Sequence, residues 1–177
     1  ISDAGTPLIS DPGYRLVRAV HAAGLPVLTV PGPSSVIAAL SIAGLPTDRF
    51  AFEGFLPARD AARRRRLEGL ADCSQTQVFL EAGRRIRATL EAMRAVFGDE
   101  REAAICRELT KRFETTRVDT LANLVDWLST DANQVRGEFV LVIGPPTESC
   151  PAVASSLPAT DALIALLRDE GLGAKST

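Results

Sequence analysis

The sequence predicts an α/β layered domain. Short apolar runs, which are typical of buried strands, alternate along the chain with stretches that have the apolar spacing of amphipathic helices. Loops rich in Gly and Pro separate the two kinds of segment. In this fold class, ligands bind in the loops at the carboxyl ends of the strands. Those loops are therefore where a functional site is expected.

The opening segment, residues 1–13, predicts an ordered loop that wraps a small ligand. It is too rich in turn-forming residues for a strand or a helix, and its centre is too apolar for a flexible tail. A helix is predicted to follow, with Asp11 as its N-cap, Pro12 as its first residue and Gly24 just past its end. Because no initiator Met and no strand precede this loop, we expect the chain to be a fragment that lacks its N-terminal part.

A buried strand is predicted over Leu25–Val30, an apolar run bounded by Gly and Pro. The loop at residues 31–35 then opens a helix that ends at Gly44. Residues 45–49 are interpreted as a linker between two domains.

Beyond this linker the alternation of strands and helices continues. The predicted strands are Phe50–Phe55, Thr76–Glu81, Ala103–Arg107, Phe113–Val118 and Glu138–Ile143. The predicted helices are Pro57–Leu70, Arg84–Phe97, Thr120–Ser129 with Asp119 as its cap, and Ala159–Leu172 after a linker at residues 145–158. The abrupt end after the last helix suggests that a C-terminal piece is also missing.

Composition restricts the class of protein. The chain has 20 Lys and Arg against 22 Asp and Glu, so its net charge of −2 does not by itself indicate a nucleic-acid binder. No apolar run is long enough to span a bilayer, and no secretory signal is visible. The three cysteines are far apart and form no CxxC pair, which argues against disulfides or a zinc site and favours the reducing cytoplasm.

Four motifs carry candidate chemistry, and each has a plainer interpretation. Ser34 and Ser35 can direct hydroxyl and N–H groups at a ligand from a helix N-terminus, or can simply cap that helix. Glu81 follows a buried strand, either as a site carboxylate or as a structural partner of a nearby arginine. Residues 107–111 place polar side chains at another strand end, which core packing does not explain. The run Arg63, Arg64, Arg65 and Arg66 suits phosphate binding or a solvated helix surface.

Taken together, the motifs resemble one family. The matching blocks are SDAGTPLISDPG at residues 2–13, VPGPSS at 30–35, AGLPTDRFAFEGFLP at 43–57, FLEAGRR at 79–85, RELTKRFET at 107–115 and GEFVLVI at 137–143. Their order and spacing resemble the ribosomal RNA small subunit methyltransferase I family, a branch of the tetrapyrrole (corrin/porphyrin) methylase superfamily.

The resemblance implies an S-adenosylmethionine-dependent enzyme that methylates the 2′-hydroxyl of a cytidine in small-subunit (16S) ribosomal RNA. It implies a fold of two α/β domains, the first truncated here, with the S-adenosylmethionine site between them, and a homodimer as the usual assembly. Residues 1–47 would be the remainder of the N-terminal domain and residues 48–144 the C-terminal domain. Residues 145–177 would be a linker and the start of a helical extension.

The resemblance also implies roles for individual residues. The cofactor-binding positions it implies are Ser2, Asp3, Ala4, Gly5, Ser34, Ser35, Glu81 and Leu109. Methyl transfer is an in-line displacement that needs alignment and the removal of one proton. Glu81 and Glu108 are candidate general bases, and Lys111 is a candidate for steadying a substrate phosphate. We expect Arg63–Arg66 to contact RNA phosphates, and no metal to be needed.

Two alternatives stay open at this point. A tetrapyrrole C-methyltransferase of the uroporphyrinogen or precorrin type would use the same superfamily fold, and the arginine run would then bind the carboxylates of the macrocycle. A non-catalytic module would bind the donor or RNA without turnover. As a fragment, the chain by itself is expected to be inactive.

Overall fold

A five-stranded mixed sheet forms the centre of the computed structural model, which describes residues 5–146. The strands are β1 (Phe50–Phe55), β2 (Thr76–Ala82), β3 (Glu102–Arg107), β4 (Thr115–Thr120) and β5 (Glu138–Ile143). Their spatial order is β1-β2-β5-β3-β4. The β1–β2 pair is parallel, whereas β5 runs antiparallel to both β2 and β3, and β4 runs antiparallel to β3.

The described residues form five α-helices, of which all but the first pack on the two faces of this sheet. They are α1 (Tyr14–Ala22), α2 (Ser35–Ile42), α3 (Asp60–Glu68), α4 (Gly83–Phe97) and α5 (Leu121–Thr130), followed by a 3₁₀ turn at Ala132–Val135. Apolar residues of α3, α4 and α5 form one buried cluster with the sheet, and residues of α2 form a second. None of the helices within residues 5–146 has both the length and the apolar character that a membrane span requires.

Side chains of the central strands divide between the two clusters by the two-residue period of a strand. Phe79 and Leu141 lie in the cluster with α3, α4 and α5, whereas Val78 and Val142 lie in the cluster with α2. A strand buried on both faces carries apolar residues at successive positions, which explains why β2, β3 and β5 appear in the sequence as apolar runs.

Most predicted elements are confirmed, and β5 has the predicted bounds. The prediction of a strand over Leu25–Val30 is wrong, because these residues are exposed and irregular. Within residues 5–146 no strand lies beside them to accept their backbone hydrogen bonds, and an apolar run without a partner strand has no sheet to join.

The predicted helix caps were displaced by one or two residues. The first helix begins at Tyr14 with Gly13 as its N-cap, so Asp11 and Pro12 precede it. At α5 the cap is Thr120, whose Oγ1 accepts a hydrogen bond from the backbone N–H of Asn123 at 3.3 Å. Its neighbour Asp119 instead accepts from the Asn123 side-chain amide at 2.6 Å. The helix predicted over 159–172 lies outside the described residues.

Candidate functional site

A cleft lies where the two loops before α1 and α2 meet the ends of β2 and β3. Its main chamber has a volume of about 410 Å³, and an adjoining chamber has about 290 Å³. The main chamber is within the size range of small-molecule sites, and the two chambers adjoin each other. The residues that line both are Ile9, Asp11, Ser35, Leu80, Leu109, Lys111 and Glu138.

The antiparallel direction of β5 assembles one side of this cleft. Because β5 opposes β2, its first residue, Glu138, lies beside Ala82 at the carboxyl end of β2. The same reversal places Phe139 beside Arg107 at the end of β3. The start of β5 therefore joins the two strand ends from which Glu81 and the 108–111 segment emerge.

Backbone contacts join the two N-terminal loops to each other. The Thr6 N–H donates to the Pro33 carbonyl at 2.9 Å, and the Thr6 hydroxyl donates to the Gly32 carbonyl at 3.1 Å. Gly5 has a φ of 76°, and a Cβ at this position would lie 2.5 Å from the Pro33 carbonyl oxygen. This close approach requires glycine, so the cofactor-binding position implied at Gly5 is also what allows the loops to meet.

Strained backbone lies on two sides of the cleft. Leu8 and Ser10 have φ values of 79° and 61°, and Glu108 and Thr110 have values of 50° and 64°. The left-handed region costs a non-glycine residue about 1–2 kcal/mol. Such strain is concentrated at binding and catalytic sites, where the surrounding structure holds it in place.

Lys111 bridges two carboxylates at the edge of the cleft. Its Nζ donates to Glu108 Oε1 at 3.0 Å and to Glu138 Oε2 at 2.9 Å. Glu108 Oε1 also accepts the Glu138 backbone N–H at 2.9 Å. These contacts, that with Glu138 first, raise the pKa of Lys111 above its usual value. The backbone N–H of Glu138 and then Lys111 lower the pKa of Glu108.

Glu81 is buried, and its contacts are directed to α4. Its Oε2 accepts the Thr89 hydroxyl at 2.6 Å, and its Oε1 accepts the Ala82 backbone N–H at 2.9 Å. The guanidinium of Arg85 forms an ion pair with Oε1 at 3.3 Å. These three partners hold the β2–α4 junction, and both Glu81 and Ala82 line the main chamber of the cleft.

The other predicted cofactor positions that the structure describes also line the cleft. Ser35 and Leu109 line both chambers, and Gly5 and Ser34 line the smaller one. No side chain caps the N-terminus of α2 at Ser34. Ser2, Asp3 and Ala4 lie outside the described residues.

The four consecutive arginines of α3 have different environments. Arg63 is buried and donates to Asp60 Oδ1 at 2.7 Å, whereas Arg64 donates to Asp60 Oδ2 at 3.1 Å from an exposed position. Arg66 pairs with Glu53, and Arg65 is exposed. Of the four arginines expected to contact RNA phosphates, Arg63 is thus directed into the protein, whereas Arg64, Arg65 and Arg66 are exposed.

Several cleft residues were not predicted as site residues, and Glu138 and Cys106 are the two with reactive side chains at the strand ends. The sequence predicts Glu138 only as the first residue of a strand. Its position at the cleft depends on the direction of that strand, which has no local sequence signal. Cys106, for which the sequence predicts neither a disulfide nor a zinc site, lines the main chamber, and burial raises its pKa to about 11. The apolar spacing of β3 would have placed Cys106 on the same face as Ala104.

Comparison with known proteins agrees with this architecture. The family model described as Tetrapyrrole (Corrin/Porphyrin) Methylases matches residues 1–125. A Ribosomal RNA small subunit methyltransferase I from Pseudomonas aeruginosa is 56% identical over 143 residues, which are 81% of this chain and 51% of that protein. The chain thus spans about half the length of the curated relatives it matches, and the resemblance predicted from the motifs is confirmed.

Solved structures show the same fold at lower identity. The methyltransferase CobJ has a TM-score of 0.57 at 20% identity, with 80% of this chain and 62% of CobJ covered. A uroporphyrin-III C-methyl transferase from Thermus thermophilus, complexed with S-adenyl homocysteine, has a TM-score of 0.52 at 23% identity, with 82% and 65% covered. The predicted α/β methylase fold is therefore confirmed, and this chain belongs to the tetrapyrrole (corrin/porphyrin) methylase family.

Proposed function

We propose that this chain is part of an S-adenosylmethionine-dependent methyltransferase that modifies the 2′-hydroxyl of a cytidine in small-subunit ribosomal RNA. The observation that carries the proposal is the 56% identity to the ribosomal RNA small subunit methyltransferase I of Pseudomonas aeruginosa. The cleft between the N-terminal loops and the sheet would be the donor site, between the domains predicted at residues 1–47 and 48–144.

The residues of the cleft fit S-adenosylmethionine. Leu80, Leu109 and Val140 supply an apolar lining for an adenine ring and a thioether chain. Ser34, Ser35 and the uncapped N-terminus of α2 supply donors for a carboxylate. When bound, S-adenosylmethionine supplies an electrophilic methyl group on a sulfonium leaving group.

In this proposal Lys111 acts as a fixed positive charge at the substrate. Its raised pKa keeps it protonated at neutral pH, so it serves poorly as a base. Held by Glu108 and Glu138, its ammonium would stabilise a 2′-oxygen as negative charge develops there, or a neighbouring phosphate. We therefore assign Glu108 to positioning Lys111 rather than to proton removal.

The proton leaves the 2′-hydroxyl as the new O–CH₃ bond forms. Glu81 Oε1 and Oε2 are already engaged with Ala82, Arg85 and Thr89. Glu138 is far more accessible than Glu81 or Glu108, because 83% of its side chain is exposed against 1% and 20% of theirs, and Lys111 bonds only one of its oxygens in the described contacts. We assign removal of this proton to a water molecule next to the Glu138 carboxylate. We assign binding of the RNA backbone to Arg64, Arg65 and Arg66.

The tetrapyrrole alternative has one observation in its favour. CobJ and the uroporphyrin-III C-methyl transferase have this fold, but at 20–23% identity. The much higher identity to a relative named as a ribosomal RNA methyltransferase favours RNA as the substrate.

The test supplies the full-length protein with tritiated S-adenosylmethionine and, in parallel, unmodified small ribosomal subunits and a uroporphyrinogen. We expect label in an alkali-resistant dinucleotide of the RNA, because a 2′-O-methyl group blocks alkaline cleavage. Lys111→Met should lower the rate at least tenfold, which corresponds to about 1.4 kcal/mol. Arg18→Met, which removes an exposed charge on α1, is the matched control and should not change it. Label confined to the tetrapyrrole would overturn the proposal.

A further inference from the structure

A second, basic pocket adjoins the cleft and has no role in the proposal so far. It has a volume of about 390 Å³, and its lining residues are Arg107, Glu108, Phe113, Asn133, Arg136 and Gly137. Consecutive residues connect it to the cleft, because Glu108 and Gly137 line the pocket while Leu109 and Glu138 line the cleft. A ligand in the pocket and a ligand in the cleft would therefore be neighbours.

An aromatic ring is exposed at this pocket. Phe113 is 64% exposed, and the guanidinium carbon of Arg112 lies 5.5 Å from the centre of its ring. A ring with one face on a guanidinium and much of its surface in water is a stacking platform for a flat ligand. Packing of this protein's own core does not account for the position of Phe113.

The charge of the pocket is positive. Arg107 Nη1 is held by the Asn133 carbonyl at 3.1 Å and by Gln134 Oε1 at 3.3 Å, and its buried Nε has no hydrogen-bond partner among the described residues. Arg136 adds an exposed guanidinium. The one carboxylate, Glu108, is already bonded to Lys111 and to the Glu138 N–H. An anionic group is therefore favoured here.

A flat ring next to an anion is the chemistry of a nucleotide. Unpaired RNA bases stack on aromatic and guanidinium planes, whereas the bases of a duplex are already stacked on each other. We propose that this pocket binds one unpaired nucleotide of the RNA substrate, adjacent to the nucleotide whose 2′-hydroxyl enters the cleft. Its base stacks on Phe113 and its phosphate contacts Arg136. This inference rests on the proposed function, because it takes RNA as the substrate.

Glu108 connects the pocket with the cleft, because it lines the pocket and is bonded to Lys111. A Cβ on Gly137 would lie 2.6 Å from the Glu108 side chain, so the two residues are in close contact where the sites meet. Glu108 also accepts a hydrogen bond from Lys111, which lines the cleft. A nucleotide held by Phe113 and Arg136, next to Glu108, would fix the register of the RNA strand relative to Lys111.

The test measures RNA binding separately from methyl transfer. The full-length protein is titrated with a short single-stranded RNA that carries 2-aminopurine, a base whose fluorescence falls when it stacks, and with a duplex of the same sequence. The variants are Phe113→Ala, the conservative Phe113→Tyr and Arg136→Gln, with Arg18→Gln as the matched control. Binding of S-adenosylmethionine to each variant is measured to confirm an intact fold.

We expect Phe113→Ala to weaken single-strand binding by about 5- to 100-fold and to abolish the fluorescence change, because stacking of one base is lost. Phe113→Tyr should restore both. Arg136→Gln should weaken binding and reduce the salt dependence by about one counterion. Donor binding and the Arg18→Gln control should not change.

Single-strand affinity and fluorescence that are unchanged in Phe113→Ala and Arg136→Gln would overturn the nucleotide site, while RNA methylation by the parent protein would still support the proposed function. Equal binding of duplex and single strand would also overturn it. If the parent protein binds the single strand through Phe113 but methylates no RNA, the proposed function fails and the nucleotide-binding pocket stands.

Discussion

The buried hydrogen bond between Thr89 and Glu81 gives a sharp test of how the β2–α4 junction is held. We predict that Thr89→Val destabilises the protein. The side chain of Val has the shape of Thr, and both residues are β-branched with similar helix propensity. The substitution therefore removes the hydroxyl donor and little else.

The expected magnitude follows from burial. Thr89 is completely buried, and Glu81 is 2% exposed. The 2.6 Å bond from the hydroxyl is the only described contact of Glu81 Oε2, so the substitution leaves a carboxylate oxygen without a donor in the interior. A hydrogen bond to a charged group contributes about 1.5–3 kcal/mol. The free energy of unfolding should fall by that amount.

Urea unfolding followed by circular dichroism measures this change. The matched control is Thr47→Val, an exposed threonine outside the helices and strands, which should stay within about 0.5 kcal/mol of the parent. A double-mutant cycle with Glu81→Gln should give a coupling energy of about 1 kcal/mol or more. If Thr89→Val unfolds with the stability of the parent, the oxygen is satisfied in another way and the argument is wrong.

Three further predictions use other parts of the site. Gly83→Ala should destabilise the junction, because its Cβ would lie 2.3 Å from the Val135 carbonyl oxygen. Thermal unfolding measures this, and Glu91→Ala on the exposed face of α4 is the control that should change stability little. The pKa of Glu108 is lowered in the folded protein, so its stabilising contribution is present above the pKa of the unfolded chain and is lost as the pH falls through the folded value. Glu108→Gln should therefore lower stability at pH 7, and this difference should vanish at strongly acidic pH in urea titrations. Cys106, with a pKa of about 11, should react with iodoacetamide more slowly at pH 8 than Cys73, as peptide mapping by mass spectrometry would show; equal rates would contradict the burial argument.

The strands and most helices were predictable, because burial on both faces of a sheet leaves apolar runs that local spacing detects. β5 illustrates this, since its bounds were predicted without error. Its direction was not predictable, because direction depends on which partner strand is nearest and not on the strand's own residues. Glu138 was missed for that reason, although only its antiparallel position brings it to Lys111.

The sequence predicted which residues lie at the site, but not the contacts that these residues make. Ser35, Leu109 and Lys111 line one cleft, as the motif comparison implied for a binding site, and their proposed roles stay predictions. The left-handed backbone conformation at Glu108 and Thr110 could not be predicted from the sequence, because residues other than glycine rarely adopt this conformation. Burial of Arg63 likewise depends on its ion pair with Asp60 and on the packing of α3. Four identical residues in a row give no sign of which one is buried.

The contacts of Glu81 favour a structural role over that of a general base. A general base must present a free oxygen to the substrate, whereas both oxygens of Glu81 accept hydrogen bonds from the protein, one from Thr89 and one from Ala82. Ala82 lies beside Glu138 in the sheet, and Glu138 accepts a hydrogen bond from Lys111. An anchored Glu81 therefore helps to hold the side of the cleft that Lys111 contacts. Thr89→Val should therefore lower stability while the pH dependence of methyl transfer stays that of the parent. A shifted pH profile in this variant would show that Glu81 takes part in proton transfer, and the assignment of proton removal to water at Glu138 would then be wrong.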